Sequence, residues 1–179
     1  MASAFGHALT AIALSSGVKK PLLSWKLWTL GIVCSILPDA DVLGFKFGIE
    51  YGDFWGHRGF THSLLFAIML GVFIVLFFYR KHTSNNEKLW LTSYFALSTA
   101  SHSVLDAMTN GGLGVAFFSP WNNMRYFFPW RPIKVSPINI ESFFTNRGLE
   151  VIYSEIVWIG IPCAVIALFL FMLKKGANK

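Results

Sequence analysis

Charged residues are scarce in this sequence. They make up 13 % of the 179 residues, whereas hydrophobic residues make up 54 %, and a soluble domain normally carries about 25 % charged residues. This composition argues against an ordinary soluble domain and indicates a protein embedded in lipid. The net charge of +6 would suggest a nucleic-acid partner in a soluble protein. Here the lysines and arginines stand at the ends of apolar runs, as membrane topology requires, so we expect no nucleic-acid partner.

Cysteine is also rare. The two cysteines, Cys34 and Cys163, lie inside apolar runs. They form neither a CxxC metal pair nor a disulfide framework, so we interpret them as small buried hydrophobic residues. The N-terminal segment lacks a basic stretch, and its apolar run contains His7. We therefore expect a retained first helix rather than a cleaved signal peptide.

Apolar runs predict an all-α fold, a polytopic membrane bundle of about four to five helices in a single domain over residues 1–179. The runs cover residues 2–16, 22–37, 60–79, 89–105 and 151–173. We expect Pro38 to close the second run and Pro162 to kink the last one, the C-terminal transmembrane helix. Residues 83–88 are predicted as a short polar turn, and Thr61 or Ser63 as the cap of the third helix.

The basic residues indicate an orientation in the cell (inner) membrane. With the tail at Lys174, Lys175 and Lys179 in the cytoplasm, five crossings place nine basic residues in three short cytoplasmic segments, and the other six fall in two longer loops. The positive-inside rule therefore predicts a cytoplasmic C-terminus. The ends of the runs that lie away from these three basic segments are then on the extracytoplasmic side.

Histidines and aspartates gather at that extracytoplasmic interface. Six of them stand at the ends of runs: Asp39, Asp41, His57, His62, His102 and Asp106. His102 and Asp106 are four residues apart, so they share one helix face. Each motif alone has an ordinary interpretation as a cap, a solvated turn or an interfacial histidine. Together, imidazoles and carboxylates without thiolates predict a divalent metal, zinc first, with manganese or iron as alternatives.

Other polar residues lie on the same predicted side. Arg58, Arg125 and Arg131 could bind a phosphate through their planar guanidinium groups, although anchoring to lipid head groups explains them equally well. Glu155 stands one turn into the last run. It could serve as a general base or extra ligand, or form a hydrogen bond between helices.

The motifs also resemble a known family in their order along the chain. They are Gly-His at 6–7, Leu-Pro-Asp-Ala-Asp at 37–41, Gly-His-Arg-Gly-Phe-Thr-His-Ser at 56–63 and Ser-His-x-x-x-Asp at 101–106. Over residues 5–137 the sequence resembles the YdjM-like inner-membrane proteins, described as membrane-bound metal-dependent hydrolases. The resemblance implies that His7 joins the six residues above at the metal positions. A more distant likeness is to zinc-dependent phospholipase C and P1 nuclease, but the third-zinc ligands have no clear counterpart, which leaves one or two ions.

The expected function is a membrane-embedded metal-dependent hydrolase acting on a phosphate ester or a lipid head group, with Asp39 or Asp41 as general base. Its expected partners are membrane lipids and a phosphate-bearing substrate. The alternative is a metal-binding membrane protein with a structural or regulatory role. A transporter is disfavoured because its polar groups would be distributed across the bilayer, whereas these cluster at one face.

Overall fold

The computed structural model describes residues 1–18, 22–80 and 84–177. Within these ranges the chain is mostly helical and contains no strand, which confirms the helical class. The helices are α1 Ala4–Ser15, α2 Trp25–Ile36, α3 Leu64–Phe78, α4 Asn85–Ala107, α5 Ile140–Phe143, α6 Asn146–Glu155 and α7 Ile161–Ala177. Three further helical segments are the 3-10 helices Leu37–Phe47 and Phe60–His62 and the π-helical turn Ile156–Gly160.

Serine side chains begin the first four helices. Ser3, Ser24, Ser63 and Ser84 each accept a backbone N–H of the first turn, which satisfies one of the donors left open at a helix start. The prediction of Ser63 as the cap of α3 is confirmed. The prediction of a polar turn at 83–88 is wrong, because the Ser84–Glu87 capping box already starts α4 at Asn85; residue 83 lies outside the described residues.

The helical path continues past Pro38. The α-helix ends at Ile36, but Pro38 lies in the first turn of the 3-10 helix that follows, where a missing N–H costs nothing. The helical conformation ends at Gly48, whose φ of 80° lies in the left-handed region. The expectation that Pro38 closes this segment is therefore wrong, and both Asp39 and Asp41 lie on a helix.

The last helical stretch changes geometry where the sequence predicts a kink. The π-helical turn Ile156–Gly160 separates α6 from α7, and Pro162 is the second residue of α7. A π turn re-spaces the backbone hydrogen bonds, as insertions of this kind do at helix irregularities.

The core is built around α4, which packs against α1, α2 and α3. Leu27, Ile74, Leu91 and Phe95 form its buried centre. A Cβ atom at Gly71 would lie 2.8 Å from the carbonyl oxygen of Thr92, so glycine at this position allows α3 to approach the backbone of α4. This packing brings the ends of α2, α3 and α4 together.

Two helical stretches, Trp25–Phe47 and Asn146–Leu173, are long and apolar enough to cross a membrane by length and composition. The helices α1 and α3 are apolar but shorter. The number of crossings therefore stays a prediction, and so does the orientation. Of the basic residues used for the orientation, Lys19, Lys20, Lys81 and Lys179 lie outside the described residues.

Candidate metal centre

Two histidines and two aspartates converge in the interior. Asp39, His62, His102 and Asp106 each offer one ligand atom, and these atoms lie within 4.8 Å of one another. Asp39 comes from the 3-10 helix after α2, His62 from the turn before α3, and the other two from α4. All four side chains are buried.

The Nδ1 atoms of His62 and His102 are held by hydrogen bonds. Nδ1 of His102 lies 2.7 Å from the carbonyl oxygen of Ser35; because a carbonyl only accepts, Nδ1 carries the proton. Nδ1 of His62 lies 3.1 Å from Oγ1 of Thr61, whose hydroxyl donates to Asp41, so Nδ1 of His62 donates as well. In the neutral form of each ring, Nε2 therefore has its lone pair directed inward, as in metal sites whose histidines are oriented by a second partner.

The spacing of the four ligand atoms fits one cation. The Nε2 atoms of His62 and His102 lie 3.0 Å apart. Oδ1 of Asp39 lies 3.7 Å from Nε2 of His62 and 3.3 Å from Nε2 of His102, and Oδ2 of Asp106 lies 3.8 and 3.9 Å from the same two atoms. Ligands at about 2.0–2.1 Å from a tetrahedral zinc ion are separated by about 3.3 Å. Both carboxylate oxygens are buried without a hydrogen-bond partner in the described part of the chain, and a bound cation would satisfy them.

Arg58 is wholly buried behind Asp106. Its Nε lies 3.0 Å from Oδ2 of Asp106, without the alignment of a hydrogen bond. Its terminal nitrogens donate to the carbonyl oxygen of Gly111 and to Oγ1 of Thr109, at 2.9 and 3.0 Å. Since every guanidinium nitrogen has a neighbour inside the protein, this geometry favours positioning of Asp106 over the predicted contact with substrate.

A second group joins Asp41, His57 and His62. Oδ1 of Asp41 lies 2.7 Å from Nδ1 of His57, and Oδ2 accepts from Thr61 and from the backbone N–H of Arg58. Both oxygens of Asp41 are therefore engaged by the protein. Asp41 orients the two imidazoles and leaves Nε2 of His57 without a hydrogen bond to the described residues.

The two imidazoles of this group differ in charge. Burial lowers the pKa of His57, and its hydrogen bond to Asp41 only partly offsets this effect, so the ring is neutral near pH 7. Burial also acts to lower the pKa of His62, but the neighbouring carboxylates of Asp39 and Asp41 raise it to about 9. A cation at Nε2 of His62 would take the place of that proton.

His7 lies beside the cluster. Its ring stacks on that of His102, with centroids 3.8 Å apart, and its Nε2 lies 3.7 Å from Oδ1 of Asp106. Both ring nitrogens are buried and have no hydrogen-bond partner within the described ranges. The other oxygen of Asp106 thus faces a second imidazole, although His7 does not belong to the four-residue group.

The remaining predicted residues are distributed around the site. Arg125 donates to the carbonyl oxygens of Tyr51, Asp53 and His57 at 2.7–3.1 Å, so it fastens the loop that carries His57. Arg131 is exposed, and its guanidinium stacks on the ring of Phe127.

Glu155 accepts hydrogen bonds from the backbone N–H and the hydroxyl of Ser3. This arrangement corresponds to the predicted hydrogen bond between helices. Glu155 is in neither group of candidate ligands among the described residues.

Comparison with known proteins adds the family. The sequence profile described as YdjM inner membrane protein matches residues 1–177. The chain belongs to the YdjM inner membrane protein family. It is 40 % identical over 162 residues to inner membrane protein YbcI of Escherichia coli (strain K12), which covers 90 % of this chain and 92 % of that relative. No solved structure matches the chain.

Membership of the YdjM family confirms the predicted inner-membrane location, and the match extends beyond the residues on which the resemblance was based. It reaches residue 177, so the last helical stretch is part of the family pattern. The sequence did not single out the carbonyl of Ser35 or the hydroxyl of Thr109 as parts of the site. A backbone carbonyl leaves no trace in a sequence, and Thr109 could be suspected only because it closely follows Asp106.

Proposed function

We propose that this member of the YdjM family is a membrane-embedded, metal-dependent hydrolase that acts on a phosphate ester or lipid head group at the membrane interface. The observation that carries the proposal is the buried His62–His102–Asp39–Asp106 group. Two inward lone pairs face two carboxylate oxygens that have no other hydrogen-bond partner among the described residues. This donor set suits zinc first, then manganese or iron.

The bound ion would supply a water of lowered pKa. Groups of the protein supply the ligands and the general base. Asp39 belongs to the ligand set, and Asp41 acts through His57, to which it is bonded at 2.7 Å. Nε2 of His57 accepts the proton of the attacking water, while Asp41 stabilises the resulting imidazolium.

This route transfers the phosphoryl group from the ester oxygen to water. The water oxygen bonds to phosphorus, and the P–O bond of the ester breaks. The proton taken up by His57 passes to the leaving oxygen, which gives an alcohol and a phosphate. Water is the co-substrate, and no oxidant or reductant is needed.

One ion satisfies the four-residue group. His7 adds an option for a second ion, because it faces Oδ1 of Asp106 while the group uses Oδ2. Metal content per chain distinguishes the two cases.

A structural metal site is the second candidate function. The observation in its favour is the complete burial of His62, His102 and Asp106, with Arg58 filling the space beside them. Structural sites are closed, whereas a catalytic site keeps one position for water or substrate. Such a site would serve folding or regulation without turnover.

The test begins with protein purified in detergent and its metal content. We expect about one zinc per chain in the wild type, its loss in His102→Ala, and its retention in the neighbouring control Ser101→Ala. Phosphate esters and phospholipids are then screened for hydrolysis. Folded wild-type protein that binds no metal would refute both functions, and bound metal without turnover on any ester would favour the structural site.

A further inference from the structure

A cavity of about 330 Å³ opens beside the second group of the site. Its walls come from the loop before α3, the turn after α4, the segment before α5 and the first turn of α6. The lining includes Tyr51, His57, Gly112, Ile138, Asn139 and Arg147. We propose that this cavity binds the phosphate group of an ester substrate, and that Arg147 is the residue that pairs with it. The proposal rests on the hydrolase function proposed above, which concerns the reacting end of the ester.

The first support is the position of His57. Only 1 % of this residue is exposed, yet it lines the cavity. Its Nδ1 is bonded to Asp41, so the nitrogen left for a ligand is Nε2. The rings of His57 and His62 have centroids 5.5 Å apart. A phosphate in the cavity is thus separated from a candidate metal ligand by one imidazole.

The second support is that the other arginines near the site are already engaged by groups of the protein, whereas Arg147 is not. The guanidinium groups of Arg58 and Arg125 are engaged by Asp106 and by loop groups. Arg131 stacks on Phe127. The guanidinium of Arg147 makes neither a hydrogen bond nor an ion pair with the described residues. A planar guanidinium with open donors is the side chain best suited to bidentate binding of phosphate.

The third support is the charge of the walls. None of the described residues lining this cavity is acidic. Arg147 also lines a neighbouring cavity of about 190 Å³, together with Lys134 and Glu150. On the side of His57, therefore, no carboxylate of the described lining competes with an anionic ligand for the guanidinium of Arg147.

The fourth support is the apolar part of the lining. Val135, Pro137 and Ile138 form one wall of the cavity, and apolar walls with a few polar groups are typical of small-molecule sites. This wall suits the carbon side of an ester, while Arg147 holds its anion. The chemistry is common to a lipid head group and to a soluble phosphate ester.

The binding test uses inorganic phosphate as the probe, titrated calorimetrically into detergent-purified protein, both zinc-loaded and chelator-treated. Arg147 is exposed, so Arg147→Gln should leave the fold intact, and the exposed Arg131→Gln is the matched control. We expect Arg147→Gln to weaken phosphate binding by roughly tenfold or more, Arg147→Lys to restore part of it, and Arg131→Gln to leave it unchanged. Equal affinity in the wild type and Arg147→Gln would overturn the proposal.

Kinetics separate this proposal from the proposed function. With glycerol 3-phosphate and with mixed micelles of dioleoyl phosphatidic acid, we expect Arg147→Gln to raise KM by about tenfold and to change kcat less. The substrate that shows this effect identifies a soluble or lipid-borne source. Phosphate binding that depends on Arg147 without any turnover supports the cavity and refutes the hydrolase. Turnover with an unchanged KM in Arg147→Gln refutes the cavity and leaves the hydrolase standing.

Discussion

The Nε2 atoms of His62 and His102 lie 3.0 Å apart in the protein interior, and the opposite nitrogen of each ring is held by an oxygen of the protein. Two imidazoles in this arrangement present lone pairs to one another. This contact is unfavourable unless a proton or a cation lies between them. The centre should therefore couple metal binding to the stability of the fold.

Zinc is expected to raise the thermal unfolding midpoint of the chelator-treated protein, because an ion that binds the folded state alone stabilises it by about 2.7 kcal/mol at a hundredfold excess over Kd. The measurement is a thermal melt in detergent with and without zinc. The shift should disappear in His62→Ala and persist in Ser101→Ala. An equal shift in His62→Ala would place the ion elsewhere.

His57→Gln is expected to keep the zinc and lose the activity. His57 does not belong to the four-residue group that surrounds the proposed ion, and loss of a general base lowers kcat by about 10²–10⁴-fold. Metal analysis and ester hydrolysis are measured on the same preparations. If His57→Gln loses its zinc, His57 is a ligand rather than a base.

Arg58→Met is expected to destabilise the protein by about 3–5 kcal/mol, because it leaves the buried carboxylate of Asp106 without its cation. Arg58→Lys should recover part of this loss but not the contacts to Gly111 and Thr109. The check is the unfolding free energy of chelator-treated protein in detergent, with Arg131→Met as an exposed control. A destabilisation no larger than that of the control would contradict the positioning role of Arg58.

Gly112→Ala should disturb the site through the backbone. The φ angle of Gly112 is 90°, and an added Cβ would lie 2.6 Å from Nη1 of Arg58 and 2.8 Å from Oη of Tyr51. We expect a loss of about 1–3 kcal/mol of stability from the strained backbone and a lower affinity for zinc. Gly52→Ala is the matched control, since nothing lies within 4 Å of its added Cβ. Equal stability and equal zinc affinity of the two variants would argue against the close contact of Gly112 with Arg58 and Tyr51.

A reporter fused to the C-terminus tests the predicted orientation. The basic residues predict that this end lies in the cytoplasm, so a fluorescent protein that matures only there should be active and an alkaline phosphatase fusion inactive. The reverse result would move the metal centre to the cytoplasmic face. It would also restrict the substrate to molecules available on that side.

Part of the site follows from the sequence alone. His102 and Asp106 share a helix face at a spacing of four, and the ends of successive apolar runs meet at one side of a bundle, so their convergence was predictable. The separate roles of Asp39 and Asp41 were not. In a 3-10 helix, the side chains of residues two apart point about 120° away from each other, and the sequence suggested a turn rather than this helix.

The arginines show a second limit of the sequence. Their position predicts the correct side of the molecule, but a long side chain ends several ångströms from its backbone. The guanidinium of Arg58 reaches the turn after α4, and that of Arg125 reaches carbonyls of a loop about seventy residues earlier in the chain. Tertiary contacts of this kind depend on how the loops fold over the bundle.

Asp41 is the single carboxylate that contacts both His57 and His62 in the described site. An ion at His62 and a ligand at His57 would therefore act on the same negative charge, each through a different oxygen of Asp41. By thermodynamic reciprocity, whatever the ion does to the affinity for the ligand, the ligand does to the affinity for the ion. A ligand in the cavity would thus change the affinity for the metal ion by the same factor by which the metal ion changes the affinity for that ligand.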